Sequence, residues 1–233
     1  MAKNKKQFRL GILGGMGPMA GVWFQKIIID STSATKDQDH IQVVCFTNPK
    51  IPDRTNSLLK DGGKDYVKEV SKSLKVLAEA GANFLAIPCN TAHARLKQIQ
   101  ANISVPILDM IDLTVNEVVD NFCNVIILAT DATIKEKVYQ LKNKTNNINW
   151  IYPDKKTQKK VSKIIYSIKA GREKNILENI VSMVKKLNKN SNAVIFACTE
   201  LSIYAKEARK FIKIPIIDPL EVLAKEVVRL GTK

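Results

Sequence analysis

One pattern occurs twice in this chain, 109 residues apart, and it restricts the folds open to it. Phe84-Leu85-Ala86-Ile87 is an apolar run that reads as a buried strand, closed by Pro88 and followed at once by Cys89, Asn90 and Thr91. Ala193-Val194-Ile195-Phe196-Ala197 repeats the arrangement and is followed by Cys198, Thr199 and Glu200. Each cysteine is trailed 17 residues later by a proline, Pro106 or Pro215, and three residues beyond that by an aspartate, Asp109 or Asp218. Two matched strand–Cys–helix–Pro–strand units imply a duplicated α/β fold with one thiol in each half. A thiol at a strand's carboxyl end, facing a helix that Asn90 or Thr91 would cap, stands where open α/β sheets bind ligands. Backbone N–H groups and the helix dipole there are expected to lower its pKa.

Read in order, Phe8 to Leu13 is a strand, and Gly14-Gly15-Met16-Gly17-Pro18 is a tight turn before a helix over about Met19 to Asp30. The turn invites a dinucleotide reading, since Gly15 to Ala20 meets the looser glycine fingerprint. No acidic residue ends a suitable second strand to hold a ribose, so that reading is set aside. His40 to Asn48 is the second strand. It leads into a loop stiffened by Pro49 and Pro52 that carries Asp53, Arg54 and Thr55. Arginine on such a loop suits bidentate carboxylate capture, and a surface salt bridge is an equal alternative. A helix from about Asp65 to Ala80 stops at Gly81.

Beyond Asp109, Leu113 to Asn121 is a linking helix, and Asn124 to Ala129 opens the second unit. Thr130-Asp131-Ala132-Thr133 stands where the first unit has its glycine turn. Trp150 to Tyr152 reads as a strand, and Thr157 to Lys169, Glu173 to Leu187 and Leu220 to Leu230 read as helices. The last is amphipathic and is expected to pack back on the first half. The domains are accordingly drawn as 1–109 with 217–233, and 110–216.

The formal net charge of +15 raises nucleic acid as a partner. Only six of the 37 basic residues are arginine, however, and the lysines are dispersed with no nucleic-acid-binding signature. A solvated lysine-rich surface that draws in a small acidic molecule fits better. No apolar run approaches a membrane span, and Phe8 to Leu13 is too short for a signal segment, so the expectation is a cytoplasmic protein with no membrane partner. Four cysteines then read as free thiols. With histidine only at positions 40 and 93 and no Cys-x-x-Cys spacing, a metal site is not expected.

A lone strand-end cysteine is usually a small buried hydrophobe, and that reading suits Cys45 and Cys123. Cys89 and Cys198 differ, because they hold matched positions. If the halves face each other across a pseudo-twofold axis, the two thiols enter one cleft from opposite sides. One would remove a proton and the other deliver one, which is the geometry that inverting a stereocentre requires. His93, one helical turn after Cys89, would either polarise that thiol or make a structural hydrogen bond.

Taken together, Gly14-Gly15-Met16-Gly17-Pro18, Asp39-His40, Asn48-Pro49 with Ile51 to Thr55, Pro88 to His93, and Cys198-Thr199-Glu200-Leu201 resemble the aspartate/glutamate racemase family, nearest its aspartate racemase branch. The resemblance spans almost the whole chain. It implies two similar Rossmann-like domains with mostly parallel sheets, an active site in the cleft between them, a homodimer, and racemisation without a cofactor. It makes Cys89 and Cys198 the acid/base pair, gives the α-carboxylate to Asn90, Thr91 and Ala92, and the side-chain carboxylate to Arg54. Asp53 and Lys169 would flank the thiols, and Met16, Thr130, Thr133, Thr199 and Glu200 complete the substrate-binding set. Two departures fall in the second half, where Ala132 and Ala197 stand in place of family glycines. The substrate implied is aspartate, with glutamate as an addition. A maleate-isomerase-like reaction and an inactive binding protein for acidic amino acids stay as alternatives.

Overall fold

The computed structural model describes residues 7–172, 174–187 and 190–232. Strand β1 (Arg9–Gly14) leads through the glycine turn into α1 (Pro18–Ser31), and a short 3₁₀ turn (Asp37–Asp39) precedes β2 (Gln42–Thr47). Helices α2 (Arg54–Asp61) and α3 (Lys64–Glu79) follow, then β3 (Phe84–Ala86), a 3₁₀ turn (Thr91–Arg95), α4 (Leu96–Gln100) and α5 (Met110–Val119). The second half runs β4 (Asn124–Ala129), α6 (Asp131–Lys135), a 3₁₀ turn (Gln140–Lys142), β5 (Asn149–Ile151), α7 (Lys155–Lys169), α8 (Ile176–Leu187) and β6 (Ala193–Ala197). Helices α9 (Thr199–Ser202) and α10 (Ala205–Ala208), the two-residue strand β7 (Ile216–Ile217) and α11 (Pro219–Gly231) complete it.

The strands form two sheets, ordered β2-β1-β3 and β5-β4-β6-β7, in which every pair is parallel. The fold is therefore α/β with two parallel sheets, as the sequence predicts. In each sheet the first strand of its half is central. β1 and β4 are buried along almost their whole length, which is why they read as unbroken apolar runs rather than alternating ones.

The 109-residue repeat reappears in the hydrogen bonding. Leu85 N–H donates to Pro106 O at 2.9 Å, and Val194 N–H donates to Pro215 O at 2.9 Å. In the second half this pairing grows into β7, whereas in the first it stays a single bridge between Leu85 and Ile107. Asp109 and Asp218 then cap the following helices, α5 and α11, through backbone N–H groups.

The fold departs from the expectations in places. Cys45 and Cys123 are exposed, not buried. Cys45 lies on an edge strand with a solvated face, and Cys123 precedes β4, where its sulfur accepts from the side chains of Asn124 and Asn192. The helix after each thiol is shorter than the pattern suggests, a 3₁₀ turn after Cys89 and the four-residue α9 after Cys198. Glu173, expected to open α8, and the basic stretch Met1 to Lys6 lie outside the described residues.

One buried apolar cluster joins the sheets. Leu10, Ile12 and Phe24 of the first half meet Val125, Ile127 and Ile195 of the second through Met110, Ile111 and Val115 of α5 and Leu220, Leu223 and Val227 of α11. Helix α11 packs on α1 and α5, as its amphipathic pattern predicts. Separate clusters fill the outer faces of each sheet. No helix is long and apolar enough to cross a membrane.

Candidate active site

The cleft gathers the carboxyl ends of the four strands at the two switch points, β1 and β3 in one sheet and β4 and β6 in the other. Open α/β sheets bind ligands at such points. Beyond β1, Gly15 has φ +105°, and a Cβ there would fall 2.2 Å from Asn48 O, so only glycine permits the turn. That turn presents Met16 to the cleft. Beyond β3 come Cys89, Asn90 and Thr91; beyond β4, Thr130; beyond β6, Cys198, Thr199 and Glu200. Asp53, Arg54, Thr55 and Lys169 close the sides of a small cavity.

Eleven of the thirteen sequence candidates line the cavity, Cys89 and Cys198 together among them, and only Ala92 and Thr133 do not. Ala92 is fully buried behind Cys89. Thr133 is also buried, but its hydroxyl lies 2.9 Å from those of both Thr91 and Thr130, which are themselves 2.9 Å apart. This triangle of hydroxyls ties the first half to the second at the cavity wall. It also explains why Thr91 caps no helix: its hydroxyl is engaged across the cleft. Asn90 takes the helix-start position without a side-chain cap, and its Oδ1 accepts from the buried Tyr139 hydroxyl. Thr55 was missed, though it stands in the same loop motif as Arg54. Tyr139 carries no local sequence signal that would have found it.

Arg54 opens α2, with Asp53 as its N-cap accepting from Asn56 N–H at 2.9 Å. Its guanidinium is buried and donates to Pro52 O (3.1 Å), Ile51 O (3.5 Å) and Met16 O (3.2 Å). A surface salt bridge is thereby excluded. The Nε–H of Arg54 and the Nδ2 of Asn90 are buried without hydrogen-bond partners. Buried polar groups left unpaired cost about 1–3 kcal/mol each, so two such donors beside one small cavity point to an anionic ligand.

The Cys198 thiol donates to Glu200 Oε2 at 2.9 Å. Burial, followed by the Glu200 carboxylate, pushes this thiol well above its ordinary pKa, and Lys169 only partly offsets them. The expected lowering by a helix dipole does not occur at Cys198, because α9 is one turn long and a carboxylate stands closer. Lys169 Nζ is 3.8 Å from Glu200 Oε1. Burial works to lower the Lys169 pKa, but Glu200 and Cys198 outweigh it and hold the ammonium above its usual range. His93 donates to the Cys89 carbonyl through Nδ1 (2.9 Å) and does not bond the sulfur, so its hydrogen bond is structural. Burial lowers the His93 pKa. Among the described residues no cluster of three or more His, Cys, Asp or Glu side chains has the arrangement of a metal site.

The sequence model of the Asp/Glu/hydantoin racemase family matches residues 13–227. The chain belongs to the Asp/Glu/hydantoin racemase family. It is accordingly an amino-acid racemase, an isomerase. The broad specificity amino-acid racemase RacX of Bacillus subtilis is 28% identical over 226 residues, covering 94% of this chain and 96% of that protein. The solved structure of Picrophilus torridus aspartate racemase superposes with a TM-score of 0.85 at 31% identity, covering 96% of this chain and 94% of that one. Glutamate racemase from Francisella tularensis, solved with D-glutamate, shares the fold at a TM-score of 0.70 and 22% identity, covering 97% of this chain and 81% of its own.

Proposed function

We propose that this racemase interconverts L- and D-aspartate by two-base proton transfer between Cys89 and Cys198, without a cofactor. The observation that carries the reading is that both thiols line one small cavity whose wall also holds Arg54 with an unpaired, buried Nε–H. One thiolate takes the Cα proton, and the opposite thiol returns a proton to the other face of the planar intermediate. Asn90 Nδ2, the second unpaired donor, receives the α-carboxylate and stabilises the charge that spreads into it. Arg54 takes the side-chain carboxylate, which selects a dicarboxylic substrate. Glutamate, one methylene longer with the same two carboxylates, is the additional substrate of this reading. The two separate sheets, with α11 packed on α1, support a division at 1–109 with 217–233 and 110–216. A homodimer is the assembly that the family resemblance implies.

The test is incubation of the purified, reduced protein with L-aspartate and chromatographic assay for D-aspartate. Accumulation of D-aspartate to an equal mixture is the expected result. No D-aspartate, with tight aspartate binding by calorimetry, would leave a binding protein instead. Consumption of maleate without racemisation would leave the isomerase alternative. A second substrate range, a wider set of amino acids, is favoured by the name of the Bacillus subtilis relative. Comparable kcat/KM for aspartate and for amino acids without a side-chain carboxylate would select it.

A further inference from the structure

The two thiols occupy matched positions but unlike surroundings. Both are 5% exposed. Cys198 Sγ donates to Glu200 Oε2 at 2.9 Å, whereas among the described residues no carboxylate hydrogen-bonds the Cys89 sulfur. Glu200 is itself 7% exposed, and its second oxygen, Oε1, has no hydrogen-bond partner. Lys169 Nζ stands 3.8 Å from Oε1, longer than a hydrogen bond. Gly17 makes the space for that oxygen, since a Cβ there would come within 3.2 Å of it. A nearly buried carboxylate thus leans on one of the two thiols, with the Lys169 ammonium beside it. The charged and titratable groups facing Cys198 are Glu200 on α9, Lys169 at the end of α7 and Tyr139 before the 3₁₀ turn at 140–142, with Cys89, Arg54 and Asp53 around the same cavity.

We infer that Glu200 is a positioning residue that keeps Cys198 protonated in the resting enzyme, so that Cys89 starts as the base and Cys198 as the acid. This rests on the two-cysteine reading above. In the forward half, the Cys89 thiolate takes the Cα proton, and the C–H electron pair stays on Cα and spreads into the α-carboxylate. The Cys198 S–H then breaks, and its proton forms the new C–H bond on the opposite face. The enzyme is left with a Cys89 thiol and a Cys198 thiolate beside Glu200. Two negative groups at hydrogen-bond distance repel, so this form relaxes: a proton leaves Cys89 to solvent and one from solvent reaches Cys198. Burial and Glu200, which raise the Cys198 thiol, act in the same sense. The equilibrium constant of racemisation is unity, so kcat/KM must be equal for the two enantiomers. Glu200 acts instead on how kcat and KM divide between them.

The experiment is peptide-resolved alkylation with iodoacetamide, which reads each thiolate directly and needs no turnover. In Glu200→Gln, which keeps an acceptor but removes the charge, alkylation of Cys198 at about pH 8 should rise about tenfold or more, that is, by a pKa unit or more. Cys89 should change less than twofold, and Glu200→Asp should keep the unmodified protein's pattern. The ratio of kcat for L- to D-aspartate should shift in Glu200→Gln while the two kcat/KM values stay equal to each other. An unchanged Cys198 rate, or an equal rise at both thiols, would overturn the inference. If Glu200→Gln fails to fold, the unmodified protein decides: across about pH 7–9 Cys89 should be alkylated before Cys198, and the reverse order refutes the assignment. A protein that shows this asymmetry but no racemisation would sink the aspartate reaction and leave the role of Glu200 intact.

Discussion

Replacing Arg54 by lysine tests the substrate class most directly, because its donors can be counted. A guanidinium has five N–H donors in a fixed plane. Three contacts to carbonyl oxygens engage Nη1 twice and Nη2 once. What remains is the Nε–H, buried and unpaired, and the second hydrogen of Nη2. Nε and Nη2 share one edge of the plane, the side-on fork that a carboxylate accepts bidentately. Lysine keeps the charge but places its donors at a single point, so one of the two charge-assisted bonds is lost. Each contributes about 1.5–3 kcal/mol, which corresponds to a decrease in kcat/KM for aspartate of about 10- to 150-fold. Arg54→Ala should lose more, and it also strands the carbonyls of Met16, Ile51 and Pro52. Thermal melts must therefore accompany the kinetics, and only variants that melt cooperatively are compared. Turnover of alanine, which offers no second carboxylate, should hardly move from its starting level. Unchanged kcat/KM for aspartate in both variants would show that the Nε edge meets no substrate, and the carboxylate role would pass to Lys169.

Cys89→Ser and Cys198→Ser should each abolish racemisation with the fold retained, because a serine hydroxyl is far too weak an acid to replace either thiol; near-normal turnover in either variant would end the two-base scheme. Asp218 is buried, and desolvation raises its carboxyl from 3.8 to about 7. A folded-state pKa above the unfolded value means that the unfolded chain releases this proton first. Stability is then lost as pH rises from about 4 to about 7, by on the order of 4 kcal/mol in full. Asp218→Asn should flatten that slope in urea titrations at pH 5 and 8, and an unaltered slope would refute the assignment. Activity should survive dialysis against a chelator, and recovery only on adding back a metal would contradict the cofactor-free reaction.

Much of this was legible because buried parallel strands advertise themselves. The boundaries of β4 at Asn124 and Ala129 follow from an apolar run with polar ends, and Asp109 and Asp218 mark helix starts by simple capping chemistry. The repeat also carried the site, since a thiol at a matched strand end needs no contact map to be suspected. Partnerships formed across the chain were not legible. Nothing near Thr91 announces that its hydroxyl meets Thr130 and Thr133, about forty residues away, instead of capping a helix. The Cys198 thiol was expected to be acidified because a helix follows it. The carboxylate two residues on, folded back by one turn of α9, reverses the sign. Exposure of Cys45 depended on β2 ending up at a sheet edge, which is a matter of strand order and not of strand pattern.

The apolar cluster that runs from β1 through α5 and α11 to β4 and β6 also bears on how substrate gets in. Prying the sheets apart like a clamshell would bring Leu10, Val125, Ile195 and Leu223 into water together, at about 1.5–3 kcal/mol for each side chain fully exposed. Wide opening is thus the expensive motion. The inexpensive ones are local, in the glycine turn at Met16, the loop that carries Arg54 and the Lys169 end of α7. None of these belongs to that shared core. Entry and release then amount to small displacements at the rim of a rigid vessel. The two thiols, set on its walls, keep their separation from one catalytic cycle to the next.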